Sequence, residues 1–280
     1  MTNHIPSPIL TLPTNIIHRI LDNLDEFAIL YSGRNVCKRL NMVVDEYNRY
    51  QTLISLDLSD HLIGDLRAQH LAYALCSNTT LKEFNLTSNR IEVNGARCLA
   101  NILRQNTVLT TLNLYNNEVG DEGVQYLADA LRTNTALITL DLSSNEMGDD
   151  GAQYLARGLR KNTILTTLIL SNNLIRAQGA EYLADALRTN TTLTTLDLYN
   201  NEIKDMGAQH LIDALRNNTT LTTLDVTWNQ ISSDLEDFLD DLIEHNQQRT
   251  IKECILRVDV GDGVAVDGVE IVVRPVLNKK

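Results

Sequence analysis

Apolar and polar positions repeat along most of this chain with a fixed spacing. Between Leu109 and Asn134 the sequence reads LTTLNLYNNEVGDEGVQYLADALRTN. The same arrangement returns 28 residues later, without insertion or deletion, from Leu137, Leu165 and Leu193. Self-similarity at a fixed period is typical of a solenoid, in which each unit buries its apolar face only against its neighbours.

Each unit divides into a strand and a helix. The stretch LxxLxL predicts the strand, as in Leu193, Leu196 and Leu198. An Asn follows it, and its amide is expected to bond backbone groups where the chain leaves the strand, forming a ladder between units. GAQYLADALR then has the spacing of a helix. The positions that we expect to cap the helices are Asp65, Asp121, Asp149, Asp205 and Ser233.

The complete signature LxxLxLxxNxI resembles the leucine-rich repeat, and the 28-residue unit with a full helix resembles its ribonuclease-inhibitor type. The resemblance implies an α/β horseshoe solenoid with a parallel sheet inside and helices outside. Helices are wider than strands, so stacking them on one side curves the array. Seven units fill residues 53–248 and begin at Leu53, Leu81, Leu109, Leu137, Leu165, Leu193 and Leu221.

The residues before the repeats predict a separate helical module. Residues 1–10 contain Pro6 and Pro8 and are expected to be a disordered lead. Residues 11–52 predict three short helices. The first of them carries one apolar stripe, formed by Ile16, Ile17, Ile20, Leu21 and Leu24.

The segment LPTNIIHRILDNLDEFAILYSGRNVCKRLN within this module resembles the F-box motif. The resemblance implies binding to a Skp1-type adaptor in a cullin ubiquitin ligase. A second interpretation is that these helices only cap the exposed apolar end of the solenoid, and the two roles are compatible. The residues that we expect to bind the adaptor are Leu12, Pro13, Ile16, Ile17, Ile20, Leu24, Lys38 and Arg39.

Residues 249–280 break the period and predict a β-rich cap or tail. Ile251, Cys254 and Leu256 are expected to add one more strand. VDVGDGVAVDGVEIVV then alternates apolar and polar residues around Gly and Asp-Gly turn signals, which predicts a small hairpin.

Charge and cysteine usage narrow the kind of partner. Of the net charge of −12, residues 53–248 contribute 26 acidic and 13 basic residues, a net of −13. Binding to nucleic acid needs clustered Lys and Arg, so it is not expected, and a basic protein partner is favoured. No apolar run reaches the ~20 residues that span a membrane. The four scattered cysteines fit a reducing, intracellular location, cytoplasmic or nuclear.

Catalytic and metal-binding motifs are not found in the sequence. The six His are scattered, and HExxH, GxSxG and the P-loop are absent. We therefore expect no enzyme activity, no cofactor and no metal.

The inner face of the predicted sheet is the expected binding surface, since solenoids commonly use it. Alternate strand residues point there, and they give an acidic, hydroxyl-rich surface with Tyr and the single Trp. The residues that we expect to bind a partner are Asp57, Tyr115, Asp141, Asp197, Tyr199, Asp225 and Trp228.

Three functions follow from these patterns. The first is a substrate receptor of a Skp1–cullin-type ubiquitin ligase, which holds a basic protein in the concavity. The second is a Ran GTPase-activating-protein-like regulator, because that family shares this repeat type. The third is a plain scaffold or inhibitor that uses only the repeats.

Overall fold

The computed structural model describes residues 53–75 and 78–261. In this part of the chain seven strands alternate with seven helices. The strands are β1 Ser55–Asp57, β2 Glu83–Asn85, β3 Thr111–Asn113, β4 Thr139–Asp141, β5 Thr167–Ile169, β6 Thr195–Asp197 and β7 Thr223–Asp225. The helices are α1 Gly64–Leu75, α2 Val93–Gln105, α3 Gly120–Leu131, α4 Asp149–Leu159, α5 Ala177–Leu187, α6 Lys204–Leu215 and α7 Ser233–Gly261.

The seven strands form one parallel sheet in the order of the sequence. Residues that pair across neighbouring strands are 28 apart, as in Leu140 with Leu168 and Leu168 with Leu196. Each helix packs on the helices of the adjacent units. The predicted solenoid of βα repeats, with a parallel sheet on one side and helices on the other, is confirmed.

The core lies between the sheet and the helices and consists mainly of Leu and Ala. The central strand residues Leu140 and Leu168 are fully buried, as the sequence predicts. Buried Leu127 and Leu155 face them from the helices. At ~25 cal/mol per Å² of apolar surface, this continuous aliphatic core is the main term that holds the units together.

Two ladders of buried Asn tie each unit to the preceding one. At the strand exit, the Nδ2 of Asn117 donates to the carbonyl of Leu86, and its Oδ1 accepts from the N–H of Ile91. This ladder was expected. A second ladder at the helix exit was not expected: the Nδ2 of Asn134 donates to the carbonyl of Leu103 and its Oδ1 accepts from Leu137. Both ladders pair backbone groups that would otherwise be buried without partners.

The prediction that each Asp caps its own helix is wrong. The Oδ1 of Asp65, in the first turn of α1, accepts from the N–H groups of Glu92 and Gly95 at the start of α2, both at 2.8 Å. Asp121, Asp149 and Asp205 likewise bond the start of the following helix. The helices lie side by side, so a carboxylate on one reaches the free N–H groups of the next, where the helix dipole favours negative charge.

Glycine at the following helix start makes room for that carboxylate. A Cβ on Gly95 would lie 2.6 Å from the Oδ1 of Asp65, and one on Gly179 would lie 2.6 Å from that of Asp149. The Gly and the Asp of neighbouring units are therefore one structural pair.

The strand predicted at Ile251, Cys254 and Leu256 is wrong, because α7 continues through these residues to Gly261. The apolar residues Ile251, Ile255 and Val258 recur at helical spacing, i, i+4 and i+7, which explains the outcome. The module predicted for residues 11–52 and most of the predicted hairpin lie outside the described residues.

Candidate binding surface on the sheet

The face of the sheet turned away from the helices is the concave face, and it presents side chains in columns that cross the units. In each strand the central residue faces the core and its two neighbours are exposed or half-buried. The register aligns one residue of each strand into a row that we name the acidic column. Its members are Asp57, Asn85, Asn113, Asp141, Ile169, Asp197 and Asp225.

Every Asp and Asn of the acidic column makes the same local hydrogen bond. The side-chain Oδ1 accepts from the backbone N–H two residues later, at 2.9 Å in Asp141 and 2.8 Å in Asn113. Asn85 and Asn113 show that an amide serves this bond as well as a carboxylate does. This bond therefore does not require the negative charges of Asp141, Asp197 and Asp225, which are available for recognition.

The middle of the column is cross-linked by two serines. The Ser143 hydroxyl donates to Asp141, at 2.7 Å, and the Ser171 hydroxyl donates to Ser143, at 2.9 Å. Both serines are buried, so the hydroxyl-rich surface expected here is only partly exposed. These hydroxyls brace the column rather than offer groups to a partner.

Charge accumulates toward the C-terminal end of the column. Burial raises the pKa of Asp197, and the negative charges of Asp225 and Asp141 raise it further. The hydrogen bond from the Tyr199 N–H lowers this pKa but does not cancel the rise. At the other end, hydrogen bonds from the backbone and side chain of Ser59 lower the pKa of Asp57. An additional positive charge would thus be stabilised most beside Asp197 and Asp225.

The aromatic residues divide between the two ends of the concave face. Trp228 is 73% exposed, and its ring lies 6.3 Å from that of Tyr199 at an interplanar angle of 48°. Tyr115 is 40% exposed but lies three units away from Tyr199 in the same row. The structure therefore brings four of the expected binding residues together, Asp197, Tyr199, Asp225 and Trp228, while Asp57 and Tyr115 lie toward the N-terminal end.

Trp228 has a backbone conformation that is unusual for a bulky residue. Its φ is +63°, in the left-handed region. The six equivalent positions share this region but hold small polar residues that tolerate it: Asp60, Ser88, Asn116, Ser144, Asn172 and Asn200. A Trp here costs stability locally and buries little surface, which favours a functional reason for its presence.

One charged neighbour of this surface was missed in the sequence. Asp240 belongs to α7, yet its carboxylate is coupled to Asp225: partial burial raises the pKa of Asp240, and repulsion from Asp237, Asp225 and Asp241 adds to the shift. The prediction considered only residues of the strands and of the turns that follow them. The acidic run in SDLEDFLDDLIEH was the signal that could have indicated it.

The edge where the strands end forms a shallow groove of about 760 Å³. Leu62 and Leu174 line its ends, and Arg90, Glu118 and Glu146 lie between them. Beyond Leu174 the edge is closed by an ion pair between Arg176 and Glu202 at 3.0 Å. The groove mixes both signs of charge and does not continue the acidic column.

The first unit exposes more large apolar side chains than the units that follow it. Ile54, Leu62, Leu66 and Tyr73 are each about 60% exposed. The residues expected to bind an adaptor, from Leu12 to Arg39, lie outside the described residues.

Over residues 53–75 and 78–261, no group of His, Cys, Asp or Glu is arranged to hold a metal ion. In the same ranges no helix combines the length and the apolar character needed to cross a membrane. Cys98 is a free, half-buried thiol, and burial raises its pKa, which makes it a poor nucleophile.

Comparison with known proteins agrees with the repeat architecture. A family model for the Leucine Rich repeat matches residues 77–100, 105–128, 133–156, 161–184, 189–211 and 217–234. The matches begin 28 residues apart, in the period of the strands and helices. No curated protein sequence matches the chain.

Two solved structures are similar in fold. The first is actin-binding site 2 of leiomodin-1, with a TM-score of 0.53 and 22% identity over 59% of this chain and 95% of that one. The second is the C-terminal domain of tropomodulin from Caenorhabditis elegans, with a TM-score of 0.51 and 16% identity over 57% of this chain and 98% of that one. At these identities the similarity concerns the fold alone.

Proposed function

Because this chain is a leucine-rich-repeat protein that acts as a protein-interaction module, we propose that its concave face binds a basic protein partner. The observation that carries this proposal is the acidic column. Its carboxylates occupy positions where Asn85 and Asn113 make the same backbone hydrogen bond, so this bond leaves their charge available for a partner. Exposed aromatic rings beside them supply the apolar contact area that protein interfaces use.

We further propose that the partner is a substrate and that the chain is the substrate receptor of a Skp1–cullin-type ubiquitin ligase. The F-box resemblance of the segment from Leu12 to Arg39 supports this role. The receptor would have no active site of its own. It would act by proximity, holding the substrate on the concave face while the adaptor-bound module fixes it near the ubiquitin-charged enzyme.

The adaptor role is tested by changing Leu12 and Pro13 to Ala in the full chain. Co-purification with a Skp1-type protein should be lost, while Pro6→Ala with Pro8→Ala, in the expected lead, should retain it. The melting temperature should stay the same because repeat contacts are local. If the wild-type chain binds no such adaptor, the ligase role fails and a plain scaffold takes its place. If the double variant instead melts earlier, the segment is chiefly a cap.

The concave role is tested by changing Asp141, Asp197 and Asp225 to Asn together. Asn keeps the local bond to the backbone N–H, so only charge is removed. Binding of a labelled peptide in which Arg alternates with Gly, followed by fluorescence anisotropy, should weaken strongly.

A matched control removes the same charge from the helical side. Asp129, Asp185 and Asp213 occupy equivalent positions on the outer helices, where their carboxylates make exposed polar contacts, chiefly ion pairs with Arg132, Arg188 and Arg216. Changing these three to Asn should alter peptide binding little, because exposed pairs contribute little and lie far from the column. Equal weakening by both triple variants would show an effect of net charge alone and would count against the concave site.

A further inference from the structure

The last two units carry most of the acidity of the solenoid. Residues 193–248 contain 11 acidic and only 2 basic residues, a net of −9 out of the −13 of all seven units. Of the two cations, Arg216 pairs with Asp213 at 3.7 Å and lies over the ring of Phe238 on the helical side. The other cation, Lys204, begins α6, so neither cation belongs to the strands β6 and β7 that carry Asp197 and Asp225.

Two aromatic rings of the helical side, Tyr154 and Phe238, are covered by the chain's own cations. Arg157 lies 5.7 Å above the ring of Tyr154, and Arg216 lies 5.9 Å above that of Phe238. In the described ranges no Lys or Arg lies over Trp228, although its ring is the most exposed of the large apolar side chains. Trp228 thus offers the same kind of surface as these rings without an internal cation to occupy it.

Carboxylates of two elements, β7 and α7, interact at this end of the concave face. Asp225 precedes Trp228 by three residues, and its Oδ1 bonds the Thr227 N–H at 2.9 Å, which fixes the carboxylate at the base of the Trp228 turn. Asp240 on α7 interacts electrostatically with Asp225, and Asp197 lies beside Asp225 in the sheet register. The ring pair of Tyr199 and Trp228, at 6.3 Å, thus belongs to the same two units as the adjacent carboxylates of Asp197 and Asp225.

We propose that the C-terminal end of the concave face, formed by Tyr199, Trp228, Asp197, Asp225 and Asp240, is the docking site for an arginine side chain of the basic partner. This inference rests on the proposed function of the concave face and assigns the anchoring contact within it. A guanidinium stacks on an aromatic ring and donates paired hydrogen bonds to a carboxylate at once, which the compact ammonium of Lys does less well. The site therefore prefers Arg over Lys.

Trp228 also provides the measurement, because it is the only Trp in the sequence. Titrating the full chain with the Arg-Gly peptide should quench or shift the emission of Trp228 along the same curve as the peptide anisotropy. A matched peptide with Lys in place of Arg should bind more weakly, and one with Gln should leave the emission unchanged.

Replacing Trp228 tests the anchor without disturbing the fold. Asn116, Asn172 and Asn200 hold the equivalent left-handed backbone, so Trp228→Asn should melt no earlier than the wild type. Its peptide affinity should fall roughly three- to thirty-fold, the range of a cation–π contact. Tyr73→Asn is the control: Tyr73 is 61% exposed on helix α1, away from the concave face, and Asn101 holds the equivalent position of α2, so the affinity should change less than about twofold.

The outcomes separate this inference from the proposed function. If the wild type binds the Arg peptide and the concave triple variant does not, but Trp228→Asn binds as the wild type does, the anchor is overturned and the concave site stands. Peptide binding without a change in Trp228 emission would also overturn the anchor and leave the concave site standing. If neither the Arg nor the Lys peptide binds the wild type, both proposals fail.

Discussion

Lys204 starts helix α6 with a φ of +57°, a conformation that favours glycine. Gly64 and Gly120, the equivalent first residues of α1 and α3, have φ values of +56° and +58°. Where the preceding unit supplies an Asp to the helix start, the backbone has a negative φ instead. At Arg176, whose N–H donates to the carboxylate of Asp149, φ is −102°. In the unit that precedes α6, the position equivalent to Asp149 is Ala177, which has no carboxylate. The backbone N–H of Lys204 therefore donates to the carbonyl of Asn229 instead.

This backbone strain gives a prediction at a single residue. Lys204→Gly should raise the free energy of unfolding by about 0.5–1 kcal/mol, because the relief of the left-handed strain exceeds the added entropy of the unfolded chain. Chemical denaturation measures the change. Lys204→Ala removes the same charge without relieving φ, so it should not stabilise. A gain of equal size in both variants would assign the effect to the side chain instead.

At the scale of the repeat, each strand and helix is held by the unit on either side of it. Leu168 is fully buried in the central strand, with units stacked on both sides. Leu53 belongs to the first unit and is only half-buried. The stacking model implies that stability depends on the number of neighbouring units as well as on the residue.

Leu168→Ala should therefore cost roughly 2–5 kcal/mol, the range for a fully buried Leu, since it leaves a cavity between sheet and helices. Leu53→Ala should cost clearly less, because its side chain is partly exposed and loses fewer contacts. Denaturant melts of both variants give the comparison. Equal losses would contradict a solenoid stabilised by nearest neighbours.

At the scale of the whole molecule, the two ends of the acidic column affect the pH dependence of stability in opposite directions. Asp197 stabilises the fold more at low pH, and Asp57 stabilises it more at neutral pH. The pKa of Asp197 is raised in the fold, so the folded chain binds this proton more tightly and stability is lost as pH rises through that pKa. The pKa of Asp57 is lowered, so its contribution is present at neutral pH and is lost as pH falls.

The two signs predict opposite effects of the same substitution. Asp197→Asn should raise the melting temperature at about pH 7, and the gain should shrink as pH is lowered through the raised pKa of Asp197. Asp57→Asn should lower the melting temperature near neutrality, and that loss should shrink on acidification. Thermal melts recorded over a range of pH test both. A gain for Asp197→Asn that grows on acidification would contradict the assignment.

The periodic part of the structure was determined by the sequence itself. A constant 28-residue spacing places Leu140, Leu168 and Leu196 in register, and it aligns Asp141 with the other members of the acidic column without further information. Strand pairing and burial follow directly because each unit meets an almost identical neighbour. The adaptor-binding residues from Leu12 to Arg39 remain a prediction from a resemblance.

Some contacts between units involve positions whose residue differs from one repeat to the next. Only the tertiary structure shows which of these contacts form. Whether Asp65 caps its own helix or the next depends on how far neighbouring helices are offset, which the spacing does not give. The approach of Asp240 to Asp225 depends on how α7 packs over the last strand. The residues from Ile251 to Gly261 leave the repeat, and there local spacing alone did not separate strand from helix. A periodic sequence determines how its units stack. The contacts at the ends of the solenoid and within the charge clusters depend on how far neighbouring helices and strands are offset in space, and the period does not give that offset.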